Sequence, residues 1–197
     1  MNRLRNTSLL TALAVATVAF GLARTMPVAG QATPDAQAKI ASAMSAGPAA
    51  IAKDATIFDN AVDAQGNLVV LRQGNNGWIC LPDVPATPSL DPMCIDQTWK
   101  VWLDALMAHK APNITQPGIA YMLQGGSDAS NTDPFATKPA AGEDWVASPP
   151  HIMVLAPGKL DPKVISTDPT TGGPWIMWAG TPYEHIMVPV SPDKSAQ

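Results

Sequence analysis

His151-Ile152-Met153-Val154 and His185-Ile186-Met187-Val188 are one tetrapeptide written twice, and its reading as a strand decides the fold. The repetition reaches further than four residues. Thr132-Asp133-Pro134 precedes the first copy and Thr167-Asp168-Pro169 the second, and a Trp and a Ser/Thr-Pro pair follow in both. From Thr132 to His151 is 19 steps and from Thr167 to His185 is 18, so the order is kept and the spacing nearly so. Two copies are too few for a solenoid, so the pattern predicts a local strand-loop-strand duplication.

Outward from the repeat, short apolar runs predict more strands. Gly172-Gly173-Pro174 sets up a strand over residues 174–178 between the two copies. Others are expected at 56–58, 68–71, 78–81 and 117–123, where β-branched and aromatic residues gather. Asp63 to Asn67 reads as a turn, and Asn75-Asn76-Gly77 reads as a tight hairpin joining residues 68–71 to 78–81. Two helices are expected. One runs from about Asp35 to Ser45, stopped by Gly47-Pro48. The stronger one spans Gln97 to His109, capped by Asp96, with Trp99, Trp102, Leu103, Leu106 and Met107 on one face. The fold class is therefore α+β: a mostly antiparallel sheet of short strands packed against one main helix, with long Pro-rich loops. Residues 82–94 are expected as an extended loop, and Gln124 to Pro150 as a long loop without an element of its own.

The N-terminus has the pattern of a secretory signal, with Arg3 and Arg5, an apolar run from Leu9 to Ala23, and small residues after it. The expected organisation is a signal peptide at 1–32, a partly helical leader at 33–53, a single domain at 54–192 and a tail at 193–197. Removing 1–32 takes away Arg3, Arg5 and Arg24 and no acid, so the net charge moves from −4 to −7. An acidic chain without a basic cluster is a poor partner for nucleic acid or anionic membrane. No membrane span is expected after cleavage, and the protein is expected in the periplasm or secreted. The two cysteines, Cys80 and Cys94, are then expected to form a disulfide, which closes a short loop and contributes roughly 3 kcal/mol.

Strand alternation puts His151 beside Met153, and His185 beside Met187, on one face of each copy. Two imidazoles and two thioethers would suit copper if the strands converge, since thioether favours Cu(I). His-x-Met pairs resemble the copper motifs of several periplasmic copper carriers, which implies a copper carrier as an alternative function. A second candidate is the loop with Ser127, Asp128, Ser130, Asn131 and Asp133, which offers oxygens at alternate positions. Calcium would use such a set, although the central glycine and distal glutamate of an EF-hand are absent. A ligand or a protein partner could use it equally. Catalysis has less support: there is no Gly-x-Ser-x-Gly elbow, so a hydrolase built on Ser127 is the second alternative. The reading that the residues favour is an exported, non-enzymatic binding or interaction domain that uses the 124–150 loop and the repeated-strand face.

Overall fold

A computed structural model of the protein describes residues 33–190. The expected signal peptide at 1–32 and the tail at 193–197 lie outside the described residues. The chain order is α1 (Pro34–Ser45), α2 (Ala49–Ala52), β1 (Thr56–Val62), β2 (Leu68–Arg72), β3 (Ile79–Leu81), β4 (Met93–Ile95) and α3 (Gln97–Met107). It continues with β5 (Gly118–Met122), β6 (Gly126–Asp128), β7 (Val146–Ser148), β8 (His151–Leu155), β9 (Trp175–Met177) and β10 (His185–Pro189). Eight strands make one sheet in the order β2-β1-β3-β4-β5-β8-β10-β9, and β6 pairs with β7 separately. The large sheet is antiparallel except where β1 runs parallel to β3. This is the expected α+β architecture. No helix among the described residues is long and apolar enough to cross a membrane.

The repeat forms two neighbouring strands near the β9 edge of the sheet. β8 and β10 are adjacent and antiparallel, with Met153 directly opposite Met187. The two copies also share their local chemistry. Asp133 Oδ1 accepts from the Phe135 amide at 2.9 Å, and Asp168 Oδ1 accepts from the Thr170 amide at 2.8 Å. Each Asp therefore builds the same side-chain-closed turn ahead of its strand. Asn131 Nδ2 donates to Thr167 O at 2.9 Å, which ties one copy to the other.

α3 covers this part of the sheet. Asp96 caps it by accepting from the Trp99 amide, as its short polar side chain predicts, and its other carboxylate oxygen accepts from Ile119 on β5 at 2.6 Å. Trp99 and Trp102 are buried against the sheet, and each contributes roughly 1.5–3 kcal/mol through apolar burial. Gly118 lets the helix approach: a Cβ there would stand 2.9 Å from the Thr98 Cβ. Met107, expected on the buried face, is 73% exposed, because the helix ends there and turns away from the sheet.

Three further expectations are corrected. The Asn75-Asn76-Gly77 hairpin does not pair β2 with β3, because β1 lies between them. The tight turn at Asp63–Asn67 instead pairs β2 back onto β1, closed by Asp63 Oδ1 accepting from two amides. The chain then crosses back at Gly74, where a Cβ would be only 2.2 Å from the Ala55 carbonyl carbon. The Pro-rich stretch 82–94 ends in a strand, β4, which pairs with β3 and places Cys94 opposite Cys80. Those cysteines are joined. The 124–150 loop contributes β6 and β7. Beside these, Ala43, Ala46 and Ala52 are fully buried in a second cluster around the disulfide.

Candidate ligand-binding site

The register of β8, β10 and β9 fixes which side chains share the helix-facing side. Leu155, His185 and Met177 form one cross-strand row, and Met153, Met187 and Trp175 form the next. His151 stands opposite Pro189, four residues beyond His185 on β10. Four residues of strand span about 14 Å. The antiparallel pairing therefore puts the two histidines at opposite ends of the Met153–Met187 pair. The copper set of His151, Met153, His185 and Met187 does not converge on one point. Both methionines instead pack into the core with Trp99 and Trp102. The imidazoles still sense each other, since charge on His151 disfavours charge on His185.

Both histidines are buried, at 1% and 2% exposure, and both are held by one device. Nδ1 of His151 contacts Pro149 O at 2.7 Å, and Nδ1 of His185 contacts Tyr183 O at 3.0 Å. A carbonyl only accepts, so Nδ1 carries the proton and Nε2 keeps its lone pair. Burial pushes both imidazoles down from the usual histidine range, His185 to about 4. Both are neutral acceptors at physiological pH. The Nε2 of His151 has no partner among the described residues. The imidazole of His185 is enclosed by the rings of Trp99, Trp102 and Trp178, with centroids 5.2, 5.5 and 5.2 Å away.

Between α3 and this face lies a cavity of about 160 Å³. Five of the nine methionines in the chain line it: Met93, Met122, Met153, Met177 and Met187. Trp99, Trp102, Trp178 and His185 add an aromatic wall. Ser127, Asp128 and Asp91 supply the polar part, and the described lining residues include no lysine or arginine. Asp91 is buried and bonded: its carboxylate accepts from the Val84 amide at 2.9 Å and the Thr87 hydroxyl at 2.6 Å. Burial raises it above the usual carboxylate range, and the neighbouring Asp83 adds to this. Asp128 is half-buried and receives no such help. Burial, and after it the Asp91 charge, pushes its carboxyl up to about 6.

The loop residues picked out by sequence separate into two groups. Ser127 and Asp128 reach the cavity because β6 pairs with β7 and lays them against it. Ser130 and Asp133 close turns, Ser130 Oγ accepting from the Thr132 and Asp133 amides at 3.1 and 3.0 Å, while Asn131 Nδ2 donates to Thr167 O and its Oδ1 has no partner among the described residues. Of the oxygens proposed for calcium, those of Ser130 and Asp133 serve local turns, and Ser127 and Asp128 lie on the cavity instead. Among the described residues no group of three or more His, Cys, Asp or Glu side chains could hold a metal ion. Ser127 Oγ accepts from the Ser89 amide at 3.3 Å, and among the described residues it makes no hydrogen bond with an imidazole.

Asp91, Met93 and Met177 were missed by the sequence reading. Alternation along β9 was the one local signal for Met177, and nothing in the proline-rich stretch marks Asp91 as a cavity residue. No family model, no curated protein and no solved structure matches the chain.

Proposed function

We propose that the protein is an exported, non-enzymatic binding domain that holds a small ligand between α3 and the paired His-Ile-Met-Val strands. The disulfide is compatible with an oxidising compartment such as the periplasm or the extracellular space. The carrying observation is the cavity itself. It has an apolar wall of thioethers and indoles, and a few polar groups, Asp91, Asp128, Ser127 and His185, converge on it. Ligand sites have this composition, with apolar walls giving affinity and sparse polar groups giving orientation. Its modest volume suits a compact molecule. Catalysis draws no support from Ser127, whose hydroxyl is engaged by a backbone amide.

A fragment screen by ligand-observed NMR tests the reading. Fragments that bind are expected to compete with one another. They are expected to be lost in Met187→Phe or Met153→Phe, which narrow the cavity, provided near-ultraviolet circular dichroism shows the fold retained. A screen without binders, or binders that persist in both filled variants, overturns it.

A further inference from the structure

We infer that the ligand class this cavity takes is a small primary alkylammonium ion, an inference that rests on the function proposed above. Charge is the first argument. Two carboxylates line one largely apolar cavity, and among the described residues no lysine or arginine lines it. Asp91 is compensated by two hydrogen bonds, whereas only burial and the Asp91 charge act on Asp128. A half-buried carboxylate without a donor or counter-ion carries a desolvation cost, so the site gains most from a ligand that brings positive charge.

Hydrogen-bond polarity is the second argument, and it is independent of the acids. His185 is 2% exposed and lines the cavity; with Nδ1–H engaged by Tyr183 O, its one remaining polar atom is the acceptor Nε2. An acceptor in that position calls for an N–H donor. A primary ammonium carries three, enough to serve Asp128 and His185 together. A quaternary ammonium carries none.

The walls are the third. Indole faces attract cations, and flexible thioethers mould around a short alkyl chain. Trp99, Trp102 and Trp178 supply the first and the five methionines the second. A carboxylate ligand would meet Asp91 and Asp128 as like charges, and a neutral one would leave Asp128 uncompensated. A hard divalent cation would find too few oxygens.

The test is titration of the disulfide-intact protein at pH 7.5 with n-butylammonium, 1-butanol, butyrate, tetramethylammonium and silver(I). The readout is the indole N–H resonances of Trp99 and Trp102. Saturable shifts by n-butylammonium, at least tenfold tighter than by 1-butanol or tetramethylammonium and absent with butyrate, are expected. Asp128→Asn should weaken n-butylammonium at least tenfold while leaving 1-butanol unchanged. His185→Gln, which keeps an acceptor, should bind better than His185→Phe. Equal binding of n-butylammonium and 1-butanol, or an unchanged Asp128→Asn, overturns the ammonium assignment. So does saturation by silver(I) alone, lost in Met187→Leu, which would make the site one for a soft metal. Any of these leaves the cavity standing as a ligand site if the fragment screen succeeds. Failure of that screen removes both readings.

Discussion

Asp128 and His185 titrate in opposite senses around one cavity. The Asp128 carboxyl sits at about 6 in the fold, against roughly 3.9 in an unfolded chain. Between those values the folded state holds a proton that the unfolded state has lost, so stability falls as pH rises from about 4 to 6. His185 sits at about 4, against roughly 6.5 unfolded. There the unfolded state holds the extra proton, so stability falls as pH drops from about 6.5 to 4. His151, also lowered, adds to the histidine slope. The slopes oppose one another, and each single variant should uncover the other. Asp128→Asn should match the wild type near pH 4 and exceed it by on the order of 2 kcal/mol at pH 7.5, measured by urea unfolding. His185→Gln should lose part of the acid-side slope, and a variant with the wild-type profile would show that His185 does not titrate as its burial requires. The placement of histidine and methionine on one strand face was legible because period-two alternation is a local rule. The position of Asp128 was not, because it depends on β6 pairing with β7 across the intervening loop.

At the scale of elements, α1 and the Cys80–Cys94 bridge stabilise the same face of the sheet, the one away from α3. Cys80 and Cys94 face each other on β3 and β4, and Ala43 of α1 and Ala46 just after it pack over them without exposed surface. The small residues are required by this closeness, since Cys94 Sγ lies 3.5 Å from Ala43 O. Replacing both cysteines by alanine should cost about 2–4 kcal/mol in denaturant unfolding, through loop entropy together with lost packing under α1. Replacing Ala43 by leucine should cost about 1–3 kcal/mol by overpacking, with the disulfide intact in non-reducing mass spectrometry. α3 was readable from its 3.6-residue apolar stripe and its Asp96 cap. β4 was not, because Pro82, Pro85, Pro88 and Pro92 precede it and the strand itself is three residues long. The Asn-Gly signal at Asn76-Gly77 describes a real turn, in which Asn76 Oδ1 accepts from the Trp78 amide at 3.0 Å. A turn signal cannot specify partners, and the Asp63–Asn67 hairpin had already taken β2.

Across the whole molecule, the repeat and α3 enclose the cavity on one face of the sheet, while the disulfide cluster lies on the other, since Cys94 alternates along β4 with Met93 and Ile95, which line the cavity. Trp102 stands between the cavity and a neighbouring cleft. It lines the cavity on one side and, on the other, a separate cleft of about 490 Å³ that includes Lys159 and Glu184. Its ring stacks parallel on Trp178 at 5.8 Å and meets Tyr183 edge-on at 6.0 Å. Tyr183 in turn donates to Lys110 O at 2.9 Å, so this wall joins the end of α3 to the approach to β10. Truncating Trp102 to alanine should therefore do two separable things. It should lower stability by about 3–5 kcal/mol, the usual range for a large buried aromatic. It should also merge the cavity with the cleft, so that any ligand gains a second exit and dissociates faster. Trp102→Phe keeps the wall at reduced size and should recover most of the stability and slow dissociation. Stopped-flow dissociation of a bound fragment from the three proteins, at a temperature where all are folded, separates the effects. Wild-type dissociation from Trp102→Ala would mean that Trp102 supports the core without closing the cavity.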